Sequence, residues 1–209
     1  MNYAAEVAKS LLEIEAVKLS PTQPFQWASG WKSPIYCDNR MTLSYPKVRS
    51  IIRDGLAALI REHFPQANGI AGVATAGIPQ GALVADVLEL PMFYVRPKPK
   101  DHGMGNQIEG KVLPGQKVVV IEDLISTGGS SLKAVEALKA ANVEVLGMVA
   151  IFTYGFEVAA NNFAQAKVPL FTLSNYNELI KEAIQLGYIQ PEALDALQAW
   201  RKAPEVWNP

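Results

Sequence analysis

Residues 118–131 read Val-Val-Val-Ile-Glu-Asp-Leu-Ile-Ser-Thr-Gly-Gly-Ser-Ser. The β-branched run 118–121 predicts a short buried strand, with two adjacent carboxylates, Glu122 and Asp123, where it ends. Ser126 to Ser130 then form a small polar loop that leads into a helix beginning near Ser130. Glycine and hydroxyl residues let backbone N–H groups close on a phosphate, and a helix start adds its positive dipole end. Carboxylates repel a phosphate, so the acidic pair must face something else: sugar hydroxyls, a hard cation such as Mg²⁺, or both. One ligand carrying a diol, a metal and a phosphate is a phosphorylated ribose. The plainer alternative, a strand-to-helix turn with a serine cap, leaves the acidic pair unexplained. The chain holds no Gly-x-x-x-x-Gly-Lys-[Ser/Thr], so this is not a Walker loop.

A second stretch concentrates cations. Residues 96–111 read Arg-Pro-Lys-Pro-Lys-Asp-His-Gly-Met-Gly-Asn-Gln-Ile-Glu-Gly-Lys and include one of the two histidines in the chain, His102. Loops this long and polar are commonly functional. Arg96, Lys98, Lys100 and His102 suit a diphosphate leaving group whose charge grows as its C–O bond breaks. The glycines suit a lid over about 97–111 that opens and closes, and closure keeps water from an oxocarbenium-like sugar.

The elements that must position these groups alternate. Helical spacing is predicted over 4–12, 48–64, 82–88, 132–141 and 178–186, with a last helix starting at Pro191. Strands are predicted over 35–37, 69–74, 92–95, 118–121 and 143–152. This alternation predicts an α/β fold, a doubly wound, mostly parallel sheet flanked by helices. A ligand would sit at the carboxyl ends of its strands. The 209 residues predict a single domain, with about 1–45 as a small N-terminal hood segment and 46–209 as the core. Apolar residues are 49% and net charge is −1, which argues against bulk attraction to nucleic acid or membrane. The single cysteine, Cys37, excludes an intrachain disulfide and reads as a small core residue, consistent with a cytoplasmic setting. His63 closes the second predicted helix and reads as structural.

The 118–131 stretch resembles the 5-phosphoribosyl-1-diphosphate (PRPP) signature of the type I phosphoribosyltransferases. The Arg-x-x-x-Lys-x-His-Gly pattern beginning at Arg96 resembles the catalytic loop of the orotate branch of that family. Two further segments are similar to that branch: Ser29-Gly-Trp-Lys32-Ser-Pro and Gly72-Val-Ala-Thr-Ala-Gly-Ile-Pro79. The resemblance covers about residues 1–155. It implies transfer of the phosphoribosyl group from PRPP to orotate, with Mg²⁺ held mainly through PRPP and no firm protein ligand. It implies PRPP contacts from Arg96, Lys98, Lys100, His102, Glu122, Asp123, Leu124, Ile125, Ser126, Thr127, Gly128, Gly129 and Ser130. Lys100, His102 and Asp123 would be the catalytic groups, and Ser126, Lys32 and Tyr36 would meet orotate. It also implies a homodimer whose lid serves the neighbouring subunit's site.

The chain departs from the family pattern in places. Pro97 stands where some members carry Lys, leaving Lys98 one residue on. Ala76 stands where some carry Lys before the Gly-Ile-Pro turn. Thr153-Tyr154-Gly155-Phe156 lacks the Arg that some members use for the orotate carboxylate. Three competing readings remain: a transferase for a purine or uracil, a nucleic-acid-binding regulator on the same fold, and an inactive scaffold. The lid and the Ser-Gly-x-Lys-Ser-Pro segment disfavour the first. The net charge disfavours the second. Asp123 and the lid cations disfavour the third.

Overall fold

The computed structural model describes residues 3–27, 30–98 and 107–208. Lys100, His102 and Ser29, named above, lie outside them. The chain opens with α1 (Tyr3–Glu13), which buries Val7, Ala8, Leu11 and Leu12. Two small antiparallel pairs follow and form the hood. β1 (Val17–Leu19) pairs with β4 (Ile35–Cys37), and β2 (Phe25–Gln26) pairs with β3 (Lys32–Ser33). A 3₁₀ turn (Asn39–Ser44) leads to α2 (Pro46–His63), whose Pro46 stands where a helix needs no N–H.

Alternating units then build the sheet: β5 (Gly69–Val73), α3 (Gly77–Leu88), β6 (Met92–Val95), β7 (Ile108–Glu109), β8 (Lys117–Ile125), α4 (Gly129–Ala140), β9 (Glu144–Thr153), α5 (Glu157–Ala166) and β10 (Leu170–Asn175). The strand order is β10-β9-β8-β5-β6-β7, parallel throughout except for β7 against β6. Continuous apolar strands such as Val118 to Ile121 belong at the centre of such a sheet, buried on both faces. α6 (Tyr176–Gln185), a 3₁₀ turn (Pro191–Ala193) and α7 (Leu194–Lys202) close the chain. Trp200 of α7 is fully buried, and its Nε1–H donates to the Lys32 carbonyl at 3.1 Å, tying the C-terminal helix to the hood. Among the described residues no helix is long and apolar enough to cross a membrane.

Two expectations need correction. The central strand does not stop before the acidic pair. It runs on to Ile125, because β9 keeps pairing with it, Glu122 opposite Ala150 and Ile125 opposite Thr153. The polar stretch after β6 also holds a strand: Tyr94 pairs with Glu109 and Val95 with Ile108. The base of the predicted lid is therefore an antiparallel ladder.

Candidate active site

Period-2 alternation along β8 decides where the two carboxylates go. Val118 and Val120 pack into the apolar cluster beneath α4 and α5, with Ala134 and Phe163. Val119 and Ile121 pack into the opposite cluster, with Ile52 and Val84 of α2 and α3. Glu122 continues the first series. It is 6% exposed and accepts from Ser131 Oγ at 2.9 Å and from the Asp123 backbone N–H at 3.0 Å. Asp123 lies on the hood side, where its carbonyl accepts from the buried Asn39 Nδ2 at 2.8 Å. One carboxylate thus holds the start of α4, and the other faces the hood.

Burial, then the neighbouring Asp123 charge, push the Glu122 pKa up to about 8. Burial also raises Asp123, against the pull of a Glu122 hydrogen bond, backbone N–H groups and Arg40. Two close carboxyls cannot both ionise cheaply, so burial and mutual repulsion favour the protonated form of Glu122. Its ordinary pKa is 4.5. Between that value and about 8 the folded chain keeps a proton the unfolded chain has lost. The stability from this group is therefore complete below the lower value and fades as pH rises through the upper one. Glu122→Gln removes the titration. It should flatten the decline of Tm from about pH 5 to about pH 8.5, read by calorimetry. Parallel Tm profiles for the two proteins would mean Glu122 is ionised throughout.

The loop after the acidic pair depends on its glycine. Gly128 has φ +80, and a Cβ there would lie 2.6 Å from the Phe163 ring. Asn162 of α5 donates to the Thr127 carbonyl at 2.9 Å and holds the loop from the far side. α4 has no side-chain cap, and Gly129 and Ser130 are exposed. The unpaired N–H groups of its first turn are thus left for an anion. Gly128→Ala should destabilise the fold by about 2–4 kcal/mol, through left-handed strain and displacement of buried Phe163. Denaturant unfolding checks this, and a loss under about 0.5 kcal/mol would mean the loop repacks freely.

Two cavities meet at this strand end and share Cys37. One, of about 320 Å³, is lined by Cys37, Asp38, Arg40, Thr75, Ala76 and Asp123. Arg40 grips Asp38 in a two-pronged pair at 2.7 and 2.9 Å, which holds the Asp38 carboxyl below its ordinary range. Thr75 and Ala76 precede α3, whose Gly77 sits so close to β8 that a Cβ would meet the Ile121 carbonyl. The other cavity, of about 300 Å³, is lined by Gln26, Trp27, Tyr36, Cys37, Leu124, Ser126 and Tyr154. Each is at the small end of the usual range for ligand sites, roughly 300–1,000 Å³. A larger groove of about 630 Å³ lies between α6 and α7 and borders none of the residues singled out above. Its size alone does not make it the site, because the convergent polar groups are elsewhere.

The structure brings Asp123 to the first of these cavities and Ser126 and Tyr36 to the second. Lys32 is exposed, donates through Nζ to Asn208 Oδ1, and does not line either one. Arg96 directly follows β6, and its N–H donates to the Gln107 carbonyl while Gln107 Nε2 donates back to its own, both at 2.8 Å. Arg96 Nη1 is buried 3.7 Å from Glu109 Oε1, without a hydrogen bond among the described residues. Lys98 is exposed. Cys37 is half-buried and donates to Asn39 Oδ1 at 3.3 Å, and burial pushes its thiol well above the ordinary value. His63 stacks on Phe171 at 3.7 Å. Sequence reasoning missed Ser131, Asn39, Trp27, Tyr154 and Asn162. Of these, Ser131 alone had a local signal, a hydroxyl in the first turn of the helix that follows the phosphate loop.

A parallel sheet with an acidic pair and a phosphate loop at one strand end, beneath a small hood, defines the phosphoribosyltransferase class. Residues 44–188 match the family described as phosphoribosyl transferase domain, and the chain belongs to that family. Its full-length similarity is to orotate members. The orotate phosphoribosyltransferase of Cytophaga hutchinsonii is 65% identical over 208 residues, covering 100% of both chains. That of Porphyromonas gingivalis is 58% identical over 202 residues, covering 97% of this chain and 96% of its own. The crystal structure of orotate phosphoribosyltransferase from Aeropyrum pernix is 31% identical, with a TM-score of 0.76 over 88% of this chain and 99% of that one.

Proposed function

We propose that this chain is an orotate phosphoribosyltransferase, joining orotate to the phosphoribosyl group of PRPP with release of diphosphate. The observation that carries the reading is the placing of Asp123, at the mouth of the phosphate loop and in the wall of the cavity with Arg40 and Thr75, which adjoins the Tyr36–Ser126 cavity at Cys37. Ile125 to Ser130 would take the 5′-phosphate, and Asp123 the ribose hydroxyls. The cavity with Thr75 and Ala76 would take the diphosphate, near the start of α3 and the Arg40 guanidinium. The cavity with Tyr36 and Ser126 would take the base. Ring stacking between Tyr36 and a planar pyrimidine suits an aromatic that is 45% exposed in the free protein. Glu122 would act mainly by holding Ser131 and the loop, its oxygens already accepting from the protein.

The C1–O bond to diphosphate breaks while an orotate ring nitrogen attacks the opposite face of C1, inverting it. The nitrogen attacks as an anion, so no strong protein base is needed. The Asp123 charge stabilises positive character on the sugar, and Arg96, Lys98, Lys100 and His102 stabilise the departing diphosphate. Among the described residues no three His, Cys, Asp or Glu side chains are grouped to hold a metal. Mg²⁺ would be carried in on the diphosphate, where it would neutralise charge. We further propose one domain of hood and core, a homodimer with lids shared across the interface, and a cytoplasmic setting.

An absorbance assay of orotate loss tests the activity, run beside adenine, hypoxanthine, xanthine and uracil. Orotate consumption that requires both PRPP and Mg²⁺, with the other bases inert, is the expected result. Turnover of another base would overturn the choice of base and leave the PRPP site standing. No turnover with any base would overturn the enzyme itself.

A further inference from the structure

Tyr154 is the strongly buried polar residue in the wall of the base-side cavity. It is 2% exposed. Its ring is held by Trp27, Phe156 and Trp200 at centroid distances of 5.1, 5.5 and 5.7 Å. Its backbone is held as well: Arg201 Nε donates to the Tyr154 carbonyl at 3.3 Å and Nη2 to the Gly155 carbonyl at 3.2 Å. The hydroxyl is the exception, because it makes no hydrogen bond among the described residues. It is not among the fully buried atoms left unpaired, so it keeps access to the cavity that Tyr154 lines, where a ligand can accept its hydrogen bond. Burial, then the charges of Cys37 and Asp123, push the phenol well above its ordinary pKa, so it keeps its proton and can donate.

The same cavity lacks something its proposed occupant needs. No Lys or Arg among the described residues lines it, and Lys32 is turned to Asn208. A pyrimidine carboxylate entering there has to be met by neutral donors. Hydrogen bonds to an ionised acceptor are about twice as strong as neutral ones. We infer that Tyr154 is a specificity-determining residue, its hydroxyl donating to the carboxylate of the base through a position fixed by Trp27, Trp200 and Arg201. This inference rests on the base-site reading above.

The test measures binding of two nucleotides by calorimetry. Orotidine 5′-monophosphate carries the carboxylate, and uridine 5′-monophosphate lacks it. Tyr154→Phe removes only the hydroxyl and keeps the ring packing. It should weaken the first nucleotide by roughly 10- to 100-fold and leave the second within about 2-fold. Tyr36→Ala, at an exposed position in the same wall, should weaken both. Failure of Tyr36→Ala to change either nucleotide would overturn the base-site reading. If Tyr36→Ala weakens both but Tyr154→Phe leaves their affinity ratio unchanged, the Tyr154 inference alone falls. Equal weakening of both nucleotides by Tyr154→Phe, with a lowered Tm, would make Tyr154 structural and also overturn it.

Discussion

Asp123→Asn should lower kcat/KM for PRPP by roughly 10²- to 10³-fold while the protein stays folded. The size follows from charge and place. A carboxylate about 4 Å from a developing positive sugar, at an effective dielectric near 20, is worth about 4 kcal/mol. That is close to 10³ in rate, and the partial charge of the transition state reduces it. Asparagine keeps the shape and can still bond a hydroxyl, so the loss isolates the charge. Stability should move the other way. The Asn39 bond is made to the Asp123 backbone carbonyl and survives the change. Removing the charge also lifts the repulsion that raises Glu122. The variant should therefore match or exceed the parent's Tm above neutral pH, where Glu122 ionises. A folded variant with unaltered PRPP kinetics would take Asp123 out of the sugar site.

This separation of effects bears on what can be read from the chain alone. The acidic pair and the phosphate loop are legible because their chemistry is local: consecutive residues on one strand and one turn. The division of labour within the pair is not. It depends on which face of β8 each carboxylate takes, and that follows from the apolar clusters on either side. β6 is legible to the residue because apolar residues between Pro91 and Pro97 leave one reading. The end of β8 is not, since carboxylates look like a strand terminus until β9 is seen to pair past them. α3 begins earlier than its periodicity suggests. Gly77 and Pro79 look like a turn, yet proline is tolerated in a first helical turn. α5 escapes because its buried anchors are only Ala159 and Phe163. The base-side cavity is the least legible part. Trp27, Tyr36, Ser126 and Tyr154 are far apart in sequence and meet only once the hood folds over the sheet.

The lid lies at the other extreme, because its proposed chemistry rests on sequence while the structure supplies its anchors. Arg96 and Gln107 bond to each other at its base, and β6 pairs with β7 beyond them, so both ends are fixed. Lys100→Ala should cut kcat by roughly 10²- to 10³-fold and barely change KM for orotate. A cation on the diphosphate gains most as the leaving group takes up charge, so its loss raises the barrier more than it weakens the ground state. A raised KM for PRPP at constant kcat would instead mean that Lys100 binds substrate and transition state alike. The two severe variants can then be combined. In a two-fold dimer with lids serving opposite sites, a mixed dimer of Lys100→Ala and Asp123→Asn subunits contains one site with both lesions and one with neither. Equal mixing after reversible dissociation should recover about a quarter of parental activity, half the dimers being mixed with one good site in two. A lid that serves its own subunit puts one lesion in every site, and the mixture then stays as inactive as its parts.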